Sequence, residues 1–347
     1  MRLHPVGYSH LGRLHSDGIR YVWKLFKNAP FIESAAFKTR AKIPTAQSDN
    51  HISAYTTSVS SGCALTAGRI PCKFCRTGNT LRFSGPLTSK EIAMQNVFMV
   101  MSDIDQSIHD PAANNLREFA YMGQGEPGFS YTQLRQAIRV TDQAMHLLNQ
   151  KVYRHILATS GVVEMVDALI FDLQNNFFGE TRVTFHYSLH ATQRRTDVMP
   201  INELYDFKDI IRRLPILQNL TGEKPCVGVL IFKDYCNKNN PQHYYTNEDE
   251  IERMANLLNP EICRISLCEF NPCDNIGTNS VVSHDEASRL VKKLEIKGFE
   301  VKLFASFGKQ ENTACGLLGG TMPDQPADET ILSRYSKASS IIETIHN

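Results

Sequence analysis

The sequence predicts an α/β fold: an open or partial (β/α) barrel of six units, with a short element before it and a tail behind it. Three observations carry that expectation. From Phe119 onward, apolar runs of four to seven residues alternate with segments of helical period, the pattern of βαβ units around a parallel sheet. Several of these runs end directly in an unusual polar cluster, where a parallel barrel gathers its active site. Three cysteines also fall within thirteen residues, Cys63 to Cys75.

Bulk properties narrow the classes. The 347 residues suffice for one large domain or two small ones, and 42% hydrophobic content can bury a sizeable core. No run approaches the eighteen apolar residues of a membrane span, and Met-Arg-Leu-His-Pro at the start lacks the apolar core of a signal peptide. Nine cysteines, an odd number, point to a reducing cytoplasm and to metal or catalytic use rather than a disulfide scaffold. A formal net charge of +1 gives no case for a nucleic-acid partner. Locally, residues 1–50 hold eight Lys/Arg against three acids. That basic arm suits phosphates as well as it suits plain solvation.

Residues 1–50 read as a short basic element. Tyr21–Phe26 is amphipathic and fits either secondary structure, whereas Phe31–Phe37 and Ile52–Ser58 read as strands separated by a turn near Asn50. Residues 51–305 form the core. Thr88-Ser-Lys-Glu91 is a capping box opening a helix to about Met101, followed by a polar loop over 102–115. Phe119–Met122 runs into Gly123-Gln-Gly-Glu-Pro127, then a helix over 131–149. His155–Ala158 ends in Thr159-Ser-Gly161, then a helix over 162–172. Val183–Tyr187 ends in Ser188-Leu-His-Ala191, then a helix at about 207–219. Cys226–Phe232 precedes a helix at about 247–258. Ile262–Leu267 leads to Phe270-Asn-Pro272. A helix capped by Ser283 and Glu286 closes at Gly298, and Val301–Phe304 is the last strand. Residues 306–347 form a tail with Cys315, then turns rich in Pro and Asp.

The chemistry starts at the cysteines. Three thiolates can hold three irons of a cubane and leave the fourth open to a ligand. Cys72-Lys-Phe74-Cys75 looks like the cluster loop of radical S-adenosylmethionine (SAM) enzymes. A zinc site with His51 as fourth ligand, or inert cysteines, is the bland alternative. In Gly123-Gln-Gly125-Glu126-Pro127 the glycines admit close backbone approach and the carboxylate can accept from an ammonium. An exposed turn would look the same. Ser160, Ser188, Leu189, His190 and Asn271 stand at strand ends, where each could meet a carboxylate, ribose or adenine or simply be packed.

Taken together these motifs resemble the RlmN/Cfr-type radical SAM methyltransferases over roughly residues 30–320. The pieces, in order, are Val59-Ser-Ser-Gly-Cys63, Cys72-Lys-Phe-Cys75-Arg-Thr-Gly78, Leu87-Thr-Ser-Lys-Glu91-Ile92, Tyr121-Met-Gly-Gln-Gly-Glu-Pro127, Thr159-Ser-Gly-Val162, Ser188-Leu-His-Ala191, Met199-Pro-Ile-Asn202, Phe270-Asn-Pro272 and Ala314-Cys-Gly-Leu317. The resemblance implies a partial (β/α)6 radical SAM barrel, a [4Fe-4S] cluster on Cys63, Cys72 and Cys75, and SAM held by Gly125, Glu126, Ser160, Ser188, Leu189, His190 and Asn271. It implies methylation of an sp2 carbon of adenine in rRNA or tRNA, with electrons from a flavodoxin-like or ferredoxin-like donor. One SAM methylates Cys315. A second is cleaved reductively, and the resulting 5′-deoxyadenosyl radical takes hydrogen from the cysteine's methyl group. The carbon radical adds to the substrate ring, with Glu33 as proton donor or acceptor. Cys315 also has a case of its own, as a lone cysteine in a Gly-rich tail.

The sequence departs from the family pattern in three places. Eight residues separate Cys63 from Cys72, where the family has three. Ser58 stands where the family has a second catalytic cysteine that releases the product by disulfide formation, a role for which Cys268 and Cys273 are candidates. The N-terminal element is shorter than the family's RNA-binding extension, and the Ser188-Leu-His loop is trimmed. Two other readings therefore stay open: a divergent radical SAM enzyme acting on a nucleotide-like small molecule or a peptide, and a non-catalytic iron–sulfur or zinc protein.

Overall fold

Apolar residues alternate with polar ones along the first segments of the chain, and these segments pair as antiparallel strands. In the computed structural model, which describes residues 1–11, 18–39, 52–106, 116–233, 235–237, 240–271, 282–304 and 318–346, they are β1 (His4–Leu11), β2 (Gly18–Lys24) and β3 (Ile32–Thr39). The stretch that fitted either structure is thus a strand. On β2, Tyr21 and Trp23 point one way and Arg20 the other, as a period of two requires. β3 pairs antiparallel with β4 (Ile52–Thr56).

The cysteine stretch follows β4. A two-residue strand pair, β5 (Ser60–Ser61) with β6 (Gly85–Pro86), closes its neck, and two short helices, α1 (Ala64–Ala67) and α2 (Arg76–Thr80), lie within it. Helix α3 (Ser89–Gln106) starts at the expected capping box: Glu91 N–H donates to Thr88 Oγ1 at 3.3 Å and Thr88 N–H to Glu91 Oε2 at 2.9 Å. It runs five residues past the expected end because Met101 and Ile104 continue its apolar stripe against the core. Phe98 of α3 receives the Tyr21 and Trp23 rings edge-on at 5.1 and 4.9 Å.

The βα units then follow as expected. They are β7 (Leu116–Tyr121) with α4 (Tyr131–Leu147), β8 (Lys151–Thr159) with α5 (Val163–Gln174), and β9 (Val183–Ser188) with α6 (Arg195–Val198), α7 (Phe207–Ile211) and α8 (Leu214–Thr221). The single helix expected at 207–219 is two, because Pro215 in the first turn of α8 cannot donate back into α7. β10 (Cys226–Ile231) leads through a hairpin, β11 (Tyr235–Asn237) and β12 (Asn240–Tyr244), to α9 (Glu248–Leu257). β13 (Arg264–Glu269) is followed by α10 (His284–Ile296), with both hydrogen bonds of the Ser283–Glu286 capping box present, and by β14 (Val301–Phe304).

One sheet results, in the order β14-β13-β10-β9-β8-β7-β4-β3-β2-β1, closed at its far edge by β15 (Gln325–Pro326). From β4 to β14 every neighbouring pair is parallel. Their C-terminal ends therefore share one edge. The tail corrects the expectation of turns alone. Residues 329–346 form an 18-residue helix, α11 (Glu329–His346). Its apolar residues Ile331, Ala338 and Ile342 are buried at helical spacing, and it lies on α3 and α4. Arg334 binds Asp105 at 2.9 Å and Tyr335 OH the Leu3 carbonyl at 2.7 Å. Among the described residues no helix is long and apolar enough to cross a membrane.

Candidate active site

The eight-residue spacing between Cys63 and Cys72 is built as a helical turn. Cys63 precedes α1, and α1 closes with Ile70 N–H on the Leu65 carbonyl at 2.9 Å and Arg69 N–H on the Thr66 carbonyl at 3.1 Å. That is a Schellman closure, with Arg69 at φ 59° in the left-handed position usually given to glycine. Cys75 precedes α2, and Asn79 Nδ2 ties the Cys72 and Cys75 carbonyls at 2.8 and 2.6 Å. Phe74, between them, is buried edge-on against the His190 ring at 5.0 Å and beside Phe232 at 5.8 Å. Lys73 N–H reaches the Val198 carbonyl at 2.9 Å, fastening the loop to α6.

The three thiols sense one another. Burial pushes Cys63 up to about 12, with Cys75 and Glu126 adding to the rise. Burial, then Cys75, Cys63 and Glu126, push Cys72 well above the ordinary thiol range, with Arg195 opposing. Burial also raises Cys75. Thiolates gathered in such a place need a cation among them, and iron is one that holds thiols deprotonated outright. No three His, Cys, Asp or Glu side chains among the described residues are grouped to hold a single metal ion. The donor set fits a cubane, whose iron corners stand apart, and His51, the zinc alternative's fourth ligand, lies outside the described residues.

The Gly-rich loop after β7 lies directly on the segment that enters the cysteine stretch. Val59 N–H meets the Gln124 carbonyl at 3.0 Å and Gly123 N–H the Thr57 carbonyl at 3.1 Å. Only glycine allows this. A Cβ on Gly123 would sit 2.6 Å from Ser58 Oγ, and one on Gly125, at φ +102°, 2.1 Å from Ser60 Oγ. Glu126 is buried and already well bonded. Gly128 N–H (3.0 Å) and Thr159 Oγ1 (2.6 Å) donate to Oε1, and Ser160 N–H (2.9 Å) and Oγ (2.6 Å) to Oε2. The carboxylate thus joins the ends of β7 and β8. Thr159 Oγ1 in turn accepts from Gly161 and Val162 N–H at 3.1 Å each, opening α5.

At the end of β9, Leu189 and His190 both donate backbone N–H to the Gly228 carbonyl at 3.1 Å, and His190 takes φ 58°. Its Nδ1 accepts from Leu230 N–H at 3.2 Å. Burial and the nearby Arg195 lower its pKa to about 3, so the ring is neutral. Ser188 is partly exposed and Leu189 fully buried. Asn271, after β13, is 4% exposed at the same edge. Gly125, Glu126, Ser160, Ser188, Leu189, His190 and Asn271 therefore share the strand-end edge with the cysteine loop.

Glu33 lies on β3, fully buried. Arg20 Nη1 is 2.6 Å from its Oε1. Gln124 Nε2 (3.1 Å) and Gly320 N–H (2.9 Å) bind Oε2, and Thr321 Oγ1 (3.2 Å) binds Oε1. Arg20 is therefore part of a buried ion pair and not of an exposed basic arm; Arg2 pairs with Glu91 at 2.8 Å. Ser58 donates from Oγ to the Glu33 carbonyl at 2.5 Å and accepts from Gln124 N–H at 2.8 Å. Cys268 is partly exposed on β13 beside Ser266. Cys315 and Cys273 lie outside the described residues. Sequence reasoning passed over Gln124 and Arg195. Nothing local separates buried Arg195 from Arg194, which pairs with Asp197 at 2.5 Å.

No protein-family model matches the chain. Among curated proteins it is 30% identical over 263 residues to the probable dual-specificity RNA methyltransferase RlmN of Cytophaga hutchinsonii, covering 74% of this chain and 63% of that protein. It is 27% identical over 298 residues to the probable RlmN of Christiangramia forsetii, covering 84% and 74%. It is 28% identical over 269 residues to the RlmN of a Marinomonas species, covering 76% and 65%. The chain thus spans somewhat less than two thirds of the first and third of these relatives. Among solved structures, a radical SAM methyltransferase from Sphaerobacter thermophilus shares the fold at TM-score 0.72 and 20% identity, over 92% of this chain and 82% of that one. By sequence the chain is similar to these RlmN proteins, and it shares its fold with the Sphaerobacter radical SAM methyltransferase.

Proposed function

We propose that the chain is a radical SAM methyltransferase that carries a methyl group on Cys315 and delivers it to an sp2 carbon of adenine in RNA. One observation carries the reading. The cysteine loop packs on the loops that end β7 and β9, and the foot of the tail bearing Cys315 is bonded to the same place. Thr77 Oγ1, two residues beyond Cys75, donates to the Leu318 carbonyl. Gly320 N–H meets Glu33 at 2.9 Å, and Glu33 also holds Gln124 of the Gly-rich loop. Cys315 stands three residues before Leu318.

Cys63, Cys72 and Cys75 would hold three irons of a [4Fe-4S] cluster, leaving the fourth for SAM. When bound, the cluster supplies the electron that cleaves SAM. Gly125 and Glu126 wall the side suited to the methionine amine. Ser160, Ser188, Leu189 and His190 line the carboxylate and ribose side, and Asn271 the adenine side. His190, accepting at Nδ1, is left with an Nε2–H to donate. Glu33 is the proton-handling carboxylate. A flavodoxin-like or ferredoxin-like protein in a cytoplasmic setting fits as electron donor.

The buried, doubly bonded Ser58 favours a second reading. On it Cys315 still carries the one-carbon unit, but the acceptor is a nucleotide-like small molecule or a peptide whose release needs no disulfide. The test is anaerobic reconstitution followed by SAM and reductant. Formation of 5′-deoxyadenosine, one extra methyl on Cys315 by intact mass, and label passing from methyl-labelled SAM into bulk RNA are the expected results. A full cluster with no 5′-deoxyadenosine would sink both readings, and label on Cys315 that never reaches RNA would sink the first alone.

A further inference from the structure

We propose that Arg195 is the fixed countercharge of the cysteine site, a positioning residue that sets the reduction potential of the cluster bound there. This rests on the radical SAM reading above. A guanidinium stays protonated inside a protein, and burying one without a compensating charge is strongly unfavourable. Arg195 is 2% exposed, yet its hydrogen-bond acceptors are neutral. They are the carbonyls of Ser160 (2.6 Å), Leu189 (3.0 Å) and Ser188 (3.2 Å), and Asn202 Oδ1 (3.2 Å).

The arrangement points the charge at the site. Ser160, whose carbonyl takes Arg195 Nη2, donates twice to Glu126. The helix that starts at Arg195 also binds the cysteine loop, through Lys73 N–H and the Val198 carbonyl at 2.9 Å. A cubane on three thiolates is net negative and gains one more negative charge when an external reductant gives it an electron. The guanidinium adds fixed positive charge at this edge of the site, and it favours the reduced state.

Asn202→Asp tests this with little change of shape. It places a carboxylate where Asn202 Oδ1 already meets Arg195 Nη1 at 3.2 Å, and it leaves the three carbonyl contacts in place. Wild type, N202D, Arg195→Gln and Arg195→Lys are reconstituted anaerobically. Iron and sulfide are counted, thermal unfolding is recorded, and the cluster is titrated with dithionite against redox mediators without SAM. In N202D the reduction equilibrium is expected to fall about tenfold, a midpoint more negative by about 59 mV for one electron, with Tm unchanged or higher. R195Q shifts the same way and serves if N202D does not accumulate. R195K keeps the midpoint but loses Tm. An unmoved midpoint in N202D or R195Q with a full cluster, or an equal shift in R195K, overturns the proposal and leaves Arg195 as a clip between loops. Failure of the wild type to take up iron and sulfide overturns the radical SAM reading instead.

Discussion

Ser58→Ala probes the position at which the family pattern that the sequence resembles would have a cysteine. The Ser58 side chain is fully buried. It donates to the Glu33 carbonyl at 2.5 Å and accepts from Gln124 N–H at 2.8 Å. Its own backbone is clamped by Gln95, at 3.1 Å to the N–H and 2.9 Å to the carbonyl. Alanine would strand one buried carbonyl and one buried amide. Each orphaned group costs about 1–3 kcal/mol, so the expected loss is about 2–6 kcal/mol. With an unfolding entropy of about 2.1 cal/mol/K per residue, the 347-residue chain should lose about 3–8 °C of Tm. Ser58→Cys should not restore a working cysteine. Sulfur makes longer hydrogen bonds than these, and Gly123 lies so close that even a Cβ there would sit 2.6 Å from Ser58 Oγ. Guanidinium unfolding of the apo proteins under anaerobic conditions measures both variants, with the slope m expected to stay constant. Ser58→Ala within about 0.5 kcal/mol of wild type, a difference typical of surface substitutions, would refute the reasoning. So would a Ser58→Cys variant more stable than wild type.

Glu33→Gln removes the charge opposite Arg20, which is 3% exposed; breaking a buried pair costs about 3–5 kcal/mol, and hydrogen exchange should report faster opening at Gly320 and Thr321. Gly125→Ala drives a Cβ to 2.1 Å from Ser60 Oγ at φ +102° and should weaken SAM binding at least tenfold by equilibrium dialysis. Gly179→Ala, at φ +61° with nothing within 4 Å, should cost only about 1–2 kcal/mol of backbone strain and leave SAM binding alone. Burial, followed by Arg264, Arg154 and Lys302, lowers His186 to about 3, below the unfolded value of about 6.5. The unfolded chain then binds a proton the native one refuses, so stability falls as pH drops from about 6.5 towards 3, by up to about 1.4 kcal/mol per pH unit. Denaturant unfolding at several pH values should show that slope flattened in His186→Gln.

What the sequence made legible is what lies together in the chain. The strands ending in Gly-Gln-Gly-Glu-Pro, Thr-Ser-Gly and Ser-Leu-His carry their own boundaries, since each apolar run stops where the polar cluster starts. The Thr88 and Ser283 boxes are likewise local, with partners three residues away. Long-range partners were not legible. Arg195 meets Ser160 across 35 positions, and Gly320 meets Glu33 across 287. No spacing rule connects such pairs, and only the assembled sheet brings them together. Helix α11 escaped for another reason. Ser333, Ser336, Ser339 and Ser340 dilute its apolar stripe, and serine favours caps and turns over helix interiors. Its docking on α3 and α4 supplies what propensity does not. The long Cys63–Cys72 spacing was legible as a number only. Its meaning, a closed helical turn that keeps all three thiols in one loop, comes from Leu65 and Thr66 accepting the chain back.

The Arg20–Glu33 pair gives these long-range contacts a common centre. Arg20 comes from β2 and Glu33 from β3. Through Gln124 the carboxylate holds the Gly-rich loop after β7, and through Gly320 and Thr321 it holds the foot of the tail. Arg20 reaches the same tail at the Met322 carbonyl (2.9 Å), and Ser9 of β1 at 2.9 Å. One buried ion pair therefore bonds to segments from the start, middle and end of the chain. A buried pair is weak evidence for net stability, because desolvation offsets most of the attraction. What it does supply is geometry: a charge pair that has to be satisfied on both sides admits few alternative registers. The tail cannot slip by one residue along β1 without taking Gly320 N–H and Thr321 Oγ1 off Glu33. The foot of the tail, at Gly320 and Thr321, is fixed by the same carboxylate that fixes the Gly-rich loop.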